Sequence, residues 1–213
     1  MKKNRLAAIT TVLLFGFGLF FFSTDGFQSF TAENARTQKL IKEKPAFPDV
    51  TLQDSKNRTY AFDTFKGKYV LITFIYTACT DVCPKIEMNM ADVYKQIPKK
   101  YMGKDIVFLS ISFDPERDNP QTLEKYRHSY DSDGDTWRMA RITNKQELDN
   151  LLDAFGVVVI PDDSGNFTHN AAFYLVGPDG KLDQVMDYQK TDDAARQIKH
   201  MLRQKGGEVA WNK

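Results

Sequence analysis

The chain has 213 residues, of which 42% are hydrophobic and 13% aromatic, a composition that suits one ordinary folded domain with a short appendage. Lys and Arg number 29 and Asp and Glu number 28. Because positive and negative charges are nearly equal and no basic run is present, the sequence does not predict a nucleic-acid partner. It also has no acidic tail that would predict a disordered segment.

The appendage lies at the N-terminus. Lys2, Lys3 and Arg5 precede an uncharged run from Leu6 to Phe22, which is at the short end of the length that spans a bilayer. We therefore predict an N-terminal transmembrane helix, with residues 1–25 as a cytoplasmic tip and membrane anchor. A cleaved signal peptide is the alternative, although the run is long for one and no clear cleavage site follows it.

The predicted anchor sets the orientation of the rest of the chain. Positive charge before a span keeps the N-terminus in the cytoplasm, which predicts a single-pass protein of the cell membrane with an extracytoplasmic domain. Residues 26–44 are mixed and polar and are predicted to be a tether, residues 45–205 the folded domain, and residues 206–213 a frayed tail. Outside the cytoplasm, the two cysteines can form a disulfide.

The only two cysteines, Cys79 and Cys83, lie between an apolar run and a predicted helix. The run from Tyr69 to Tyr76 is typical of a central strand covered on both faces. Pro84 suits the first position of a helix over residues 85–97, which places Cys83 at the N-cap. Near the positive end of the helix dipole, both thiols are expected to favour the thiolate form.

The residues alone leave several interpretations of this pair. A thiolate is both the nucleophile of disulfide exchange and a soft metal ligand, so the pair is a redox dithiol or half of a metal site. A structural disulfide or two inert core cysteines are less favoured, because the predicted position directs the sulfur atoms outward.

The remaining elements alternate between strands and helices. Strands are predicted at residues 50–52, 59–62, 105–113, 137–142, 171–176 and 182–188, and helices at residues 120–130, 146–155 and 191–203. The Gly-Pro-Asp-Gly-Lys stretch at residues 177–181 predicts a tight turn between the last two strands. The order indicates an α/β domain with a mixed sheet flanked by helices, in which ligands gather where strands end and helices begin.

Three motifs give the chain a resemblance to a known family. They are Cys-x-x-x-Cys-Pro at residues 79–84, Asp-Pro-Glu-Arg-Asp at residues 114–118, and His169 shortly before the final hairpin. The strand, the cysteine pair and the hairpin resemble the thioredoxin superfamily. Together the three motifs resemble the Sco (SCO1/SenC) family over residues 47–201, which implies a thioredoxin-like fold.

The resemblance implies a membrane-tethered copper metallochaperone that assists assembly of the cytochrome c oxidase copper centre. By the same resemblance, Cys79, Cys83 and His169 bind copper as Cu(I) or Cu(II), and a Cys79–Cys83 disulfide abolishes binding. Subunit II of the oxidase is the implied recipient, with a copper donor or a thiol reductase as further partners. Soft thiolates suit Cu(I), and imidazole makes the site acceptable to Cu(II).

One position departs from the family pattern. Thr168 precedes His169, where many relatives carry an acidic residue, so another group is expected to orient the imidazole ring. Four carboxylates are candidates for supporting contacts around the ligands: Asp114, Asp118, Asp162 and Asp163. His128 and His200 fall on predicted helices, where exposed or packing roles are expected.

Two other functions use the same cysteines. The first is a membrane-anchored thiol:disulfide oxidoreductase that keeps the cysteines of a partner reduced. Thioredoxin-like oxidoreductases carry a cis-proline where this chain has Thr168, His169 and Asn170, and this difference favours a metal over disulfide exchange. The second is a peroxidase, for which Thr77 and Thr80 give only weak support. Copper delivery, which is not turnover catalysis, is the favoured hypothesis.

Overall fold

The computed structural model describes residues 2–23 and 32–207, with side chains described for residues 9–19 and 32–207. The end of the predicted anchor at residues 24 and 25, the first part of the predicted tether and the last six residues of the predicted tail lie outside the described residues. The chain divides into two compact units, Met1–Glu43 and Lys44–Lys213.

The first unit contains two helices, α1 (Lys2–Ser23) and α2 (Ala32–Glu43). Helix α2 occupies a stretch that the sequence suggested only as a polar tether. Large apolar side chains of α1, among them Val12 and Phe15, are exposed. Among the described residues, no helix has both the length and the apolar character that crossing a bilayer requires, which gives the predicted transmembrane helix no support.

The second unit is built on a seven-stranded mixed sheet. Its strands are β1 (Thr51–Asp54), β2 (Thr59–Ala61), β3 (Tyr69–Ile75), β4 (Ile106–Ser112), β5 (Trp137–Arg141), β8 (Phe173–Val176) and β9 (Leu182–Met186). Their order across the sheet is β2-β1-β5-β4-β3-β8-β9. Strands β3, β4 and β5 are parallel to one another. The pairs nearer the two edges of the sheet, which are β5–β1, β1–β2, β3–β8 and β8–β9, are antiparallel. Every residue of β4 is buried, as expected for a strand covered on both faces.

Helices cover this sheet. They are α3 (Val82–Gln96), α4 (Pro120–His128), α5 (Lys145–Ala154) and α6 (Thr191–Lys205), and a 3₁₀ helix spans Phe62–Phe65. Side chains of α3 and α6 share one core cluster with one face of the central strands. The other face carries an aromatic group in which Phe74, Phe155 and Tyr174 contact each other. This mixed sheet between helices fits the predicted thioredoxin-like fold.

Several local predictions are confirmed by the structure. Asn119 caps α4, because its side-chain oxygen accepts a hydrogen bond from the Thr122 N–H, and Pro120 occupies the first turn. The predicted tight turn joins β8 to β9, with Gly180 at φ 78°, a conformation that favours glycine.

One feature of the second unit was absent from the sequence analysis. A separate two-stranded antiparallel ribbon pairs β6 (Val159–Pro161) with β7 (Phe167–His169). The last residue of β7 is the candidate ligand His169, so this ribbon positions the third member of the predicted site.

A carboxyl group lies in the core between α3 and the sheet. Glu87 is fully buried and accepts hydrogen bonds from the Thr73 and Ser110 hydroxyls at 2.9 Å each. The Trp137 indole N–H donates to the Ser110 hydroxyl at 3.1 Å and extends this network. Burial raises the pKa of Glu87 from its ordinary value near 4.5 to about 7, although both hydroxyls oppose the shift.

We expect this carboxyl group to make the stability of the domain depend on pH. A raised pKa in the folded state means that the protonated form is favoured, so its contribution is fully present below pH 4.5 and is lost as pH rises through 7. The loss amounts to about 3 kcal/mol. Chemical denaturation of the Glu87→Gln variant at pH 5 and pH 8 should show a gain relative to the parent chain that is larger at pH 8. An equal difference at both pH values would contradict the assignment.

Candidate metal centre

Cys79 and Cys83 lie where the central strand β3 passes into helix α3. The helix begins at Val82, with Asp81 at the N-cap, two residues earlier than predicted. Pro84 therefore sits inside the first turn rather than at its start, and Cys83 is helical rather than capping. The first turn tolerates this arrangement, because its N–H groups have no intrahelical partner.

Both cysteines are free and buried, which corrects the expectation that their sulfur atoms point outward. Cys83 is 0% exposed and Cys79 is 8% exposed. Ile75 and Tyr76 continue the buried strand directly before them, so the loop returns the sulfur atoms toward the domain. The Cys83 N–H points at the Cys79 Sγ, with a separation of 3.4 Å between nitrogen and sulfur.

The two thiols differ in acidity. Burial opposes ionisation of Cys79, but the backbone N–H groups of Cys83, Asp81 and Val82 together outweigh it and lower the Cys79 pKa below its usual value. Burial raises the pKa of Cys83, and the neighbouring Cys79 adds to the shift. Cys79 therefore ionises first, as expected for a sulfur that accepts hydrogen bonds from N–H groups at the start of a helix. The expectation that Cys83 also favours the thiolate is wrong, because burial of its sulfur raises the pKa.

His169 reaches this pair from the end of β7, 86 positions later in the chain. Its Nε2 atom lies 3.4 Å from the Cys83 Sγ. Burial lowers the pKa of the His169 imidazole, and the Asn170 carbonyl opposes this only in part. The neutral ring is the form that ligates metals. The structure therefore brings together the thiol and the imidazole that the motifs singled out.

The ring orientation has an observed cause. His169 Nδ1 lies 3.1 Å from the carbonyl oxygen of Asn170. Asp162 accepts hydrogen bonds from the N–H groups of Ser164 and Asn166 within its own turn. Asp163 is exposed in the same turn. A backbone carbonyl thus takes the place of the Asp162 or Asp163 carboxylate that was expected to orient the ring.

The ribbon that carries His169 is held by Tyr76. The Tyr76 hydroxyl accepts a hydrogen bond from the Phe167 N–H at 3.2 Å and donates to the Phe167 carbonyl at 3.4 Å. Phe113 contacts the rings of Tyr76, Phe167 and His169, with centroids 5.0 to 5.6 Å apart. These ring contacts, two of them edge-on and the one with Tyr76 tilted, fix the ribbon against the strand that leads to the cysteines.

The acidic segment after β4 supports the same region. Asp118 is fully buried and accepts hydrogen bonds from the Thr77 N–H at 3.0 Å and from the Ser112 hydroxyl at 2.5 Å. It thereby ties the cysteine loop to the end of β4. Asp114 is paired with Arg117, whose guanidinium lies over the rings of Tyr76 and Phe167.

The donors of this site suit a soft metal. Within the described residues, no three or more His, Cys, Asp or Glu side chains already stand in an arrangement that could hold an ion. The 3.4 Å between Cys83 Sγ and His169 Nε2 nevertheless matches the roughly 3.5 Å that separates a thiolate and an imidazole bound to one tetrahedral ion. Two sulfur atoms and one neutral imidazole suit a soft metal.

Comparison with known proteins identifies the family. The SCO1/SenC family model matches residues 38–203. The SCO1 protein homolog of Bacillus subtilis is 31% identical over 145 residues, covering 67% of this chain and 73% of that protein. The chain belongs to the SCO1/SenC family.

Solved structures of Sco proteins share the fold. Copper-bound ScoI of Bradyrhizobium japonicum has a TM-score of 0.61 and 26% identity, covering 75% of this chain and 99% of that one. BsSco, described as a member of the Sco family of cytochrome c oxidase assembly proteins with a disulfide switch, has a TM-score of 0.64 and 28% identity, covering 75% and 94%.

We expect removal of the Tyr76 hydroxyl to loosen the ribbon. In a Tyr76→Phe variant, the N–H and carbonyl of Phe167 lose their partner, which should cost about 1–2 kcal/mol. Amide hydrogen exchange at Phe167 should accelerate by about tenfold or more. The control is Tyr69→Phe, at the other end of β3. Unchanged exchange at Phe167 would show that the hydroxyl does not anchor the ribbon.

Proposed function

We propose that this Sco protein binds copper through Cys79, Cys83 and His169 and delivers it to a partner outside the cytoplasm. The observation that carries the proposal is the 3.4 Å approach of the His169 Nε2 to the Cys83 Sγ, with the Cys79 Sγ held beside the Cys83 N–H. An oxidoreductase dithiol makes no demand on such an imidazole. In a copper site it supplies a third donor, since imidazole nitrogen suits copper beside the soft thiolates.

The centre has features that favour both capture and release. The neutral imidazole and the readily ionised Cys79 bind without a large proton cost, whereas the Cys83 thiol must lose its proton when the metal enters. Copper then passes to the recipient by exchange of ligands. We take the recipient to be the copper centre of cytochrome c oxidase subunit II, supported by the family's association with oxidase assembly.

Oxidation of Cys79 and Cys83 controls whether the centre can bind copper. Joining Cys79 and Cys83 in a disulfide releases two protons and two electrons, which an oxidised dithiol or quinone of the compartment accepts. Both sulfur ligands are then lost to copper, and a thiol reductase restores them. The disulfide switch identified in the relative BsSco supports this step.

A thiol:disulfide oxidoreductase is the second candidate function. The lowered pKa of Cys79 and the buried thiol of Cys83 behind it favour attack by Cys79 on a partner disulfide. The two functions share their cysteines and differ in their need for His169.

We also propose that α1 anchors the domain to the cell membrane, with the domain on the extracytoplasmic side. Its exposed apolar side chains, including Leu13 and Phe17, and the positive charges near its start support this. Recovery of the full-length protein in the membrane fraction after carbonate extraction is expected. Its release into the soluble fraction would contradict the anchor.

The His169→Ala variant separates the two candidate functions. Copper affinity of the reduced protein should fall by at least about 100-fold, since loss of a supporting contact to a ligand alone costs about 10–100-fold. Thiol reductase activity toward insulin should be retained. Competition titration with a Cu(I) chelator measures the affinity.

The matched control is His200→Ala, which removes an exposed imidazole on α6 whose recorded contact is with Gln204. It should bind copper as the parent chain does. Unchanged copper affinity in His169→Ala would refute the three-ligand centre and leave the dithiol function.

A further inference from the structure

A groove runs beside the candidate metal centre. It has a volume of about 670 Å³ and lies between the β6–β7 ribbon, helix α5 and the segment 113–116. Apolar side chains of all three parts line it, including Phe113, Leu152 and Val157. Copper binding at the cysteines makes no use of this groove.

The groove adjoins the strand that carries the imidazole. Val159 lines the groove and is paired with His169 in the antiparallel register of the ribbon. Directly opposed residues of such a pair lie about 5 Å apart. Phe113, which also lines the groove, contacts the His169 ring with centroids 5.0 Å apart. A polypeptide in the groove would thus lie one strand away from the candidate ligand.

The β6–β7 ribbon also exposes apolar side chains on the surface of the domain. Among the described residues of the second unit, three large apolar side chains are exposed, and two of them are Val158 (54%) and Ile160 (57%) on or beside β6. The third, Met88, lies on α3. Within residues 32–207, β6 pairs with β7 and with no other strand, which leaves its outer edge without a strand partner there.

The rim of the groove is acidic. Lys145 pairs with Asp149 at 2.9 Å, but Glu116 and Asp153 have no cationic partner among the described side chains. The adjoining turn of the ribbon adds two exposed carboxylates at residues 162 and 163. The nearby cations are already paired, Arg117 with Asp114 and Lys145 with Asp149, so the carboxylates of Glu116, Asp153 and these two residues remain as the excess negative charge.

We propose that this groove docks a basic polypeptide segment that carries apolar side chains, presented by the protein that exchanges copper with the centre. The inference rests on the proposed function, because it takes the docked protein to be the copper-exchange partner. Apolar side chains of the partner fill the groove, and its Lys or Arg side chains face Glu116 and Asp153. Charge complementarity of this kind accelerates association and fixes the register of the two chains.

The test uses two fluorescent hexapeptides, one alternating Lys with Leu and one alternating Glu with Leu. Fluorescence anisotropy with the full chain in detergent should show that the Lys peptide binds at least about tenfold more tightly than the Glu peptide. The NMR signals of the His169 ring should shift when the Lys peptide is added, because the occupied groove lies next to β7.

Two double variants locate the site. Glu116→Lys/Asp153→Lys should abolish the preference for the Lys peptide. Asp63→Lys/Asp92→Lys, which makes the same change of charge at exposed positions outside the groove, should retain it. In a second pair, Val158→Ser should weaken peptide binding, and Met88→Ser should not.

The proposal is overturned by any of three results. These are equal binding of the two peptides, equal effects of the groove and control variants, or binding that leaves the His169 signals unchanged. Copper titration of the same proteins without peptide reports the metal centre separately. Copper binding without groove-specific peptide binding would refute only the groove, whereas peptide binding without copper binding would refute the proposed function.

Discussion

The candidate site depends on the packing of the short β6–β7 ribbon against Tyr76, at the end of the central strand β3. The Tyr76 hydroxyl forms hydrogen bonds with the N–H and the carbonyl of Phe167. Phe113 packs against the rings of Tyr76, Phe167 and His169. The result is that His169 Nε2 lies 3.4 Å from the Cys83 Sγ. Without this contact, the domain retains a dithiol at the start of a helix, as other thioredoxin-like proteins have, but no third donor.

The carboxylate of Asp118 imposes a second constraint on the cysteine loop. The buried Asp118 binds the backbone of Thr77 and the hydroxyl of Ser112, and so joins the loop to the neighbouring strand. The sulfur atoms are thus held on one side by α3 and on the other by this carboxylate. The ribbon is fixed by the Tyr76 hydroxyl, by the ring of Phe113 and by the Arg117 guanidinium, which lies over the Phe167 ring.

The sequence predicted the elements that depend on local patterns. Apolar runs located the buried strands, and Asn119 with Pro120 located the start of α4. The position of α3 was less accurate, because Pro84 is accepted anywhere in a first turn and so does not define its first residue. The β6–β7 ribbon was missed because each strand has three residues, too few to show a periodic pattern.

The site was predicted through family resemblance rather than local chemistry. Nothing near His169 in the sequence indicates that it meets a cysteine 86 positions away; that contact depends on tertiary packing. The orientation of the His169 ring by the Asn170 carbonyl could not be predicted either, because every residue carries a backbone carbonyl and the sequence does not show which one is used. The hydroxyl of Tyr76, a polar group at the end of a largely apolar run, was an available signal.

X-ray absorption spectroscopy of the reduced, copper-loaded protein tests the central claim most directly. Convergence of Cys79, Cys83 and His169 on one ion predicts two sulfur scatterers at about 2.3 Å and one imidazole nitrogen at about 2.0 Å. A first shell that contains sulfur alone, with no imidazole scattering, would contradict the claim and reduce the centre to a dithiol.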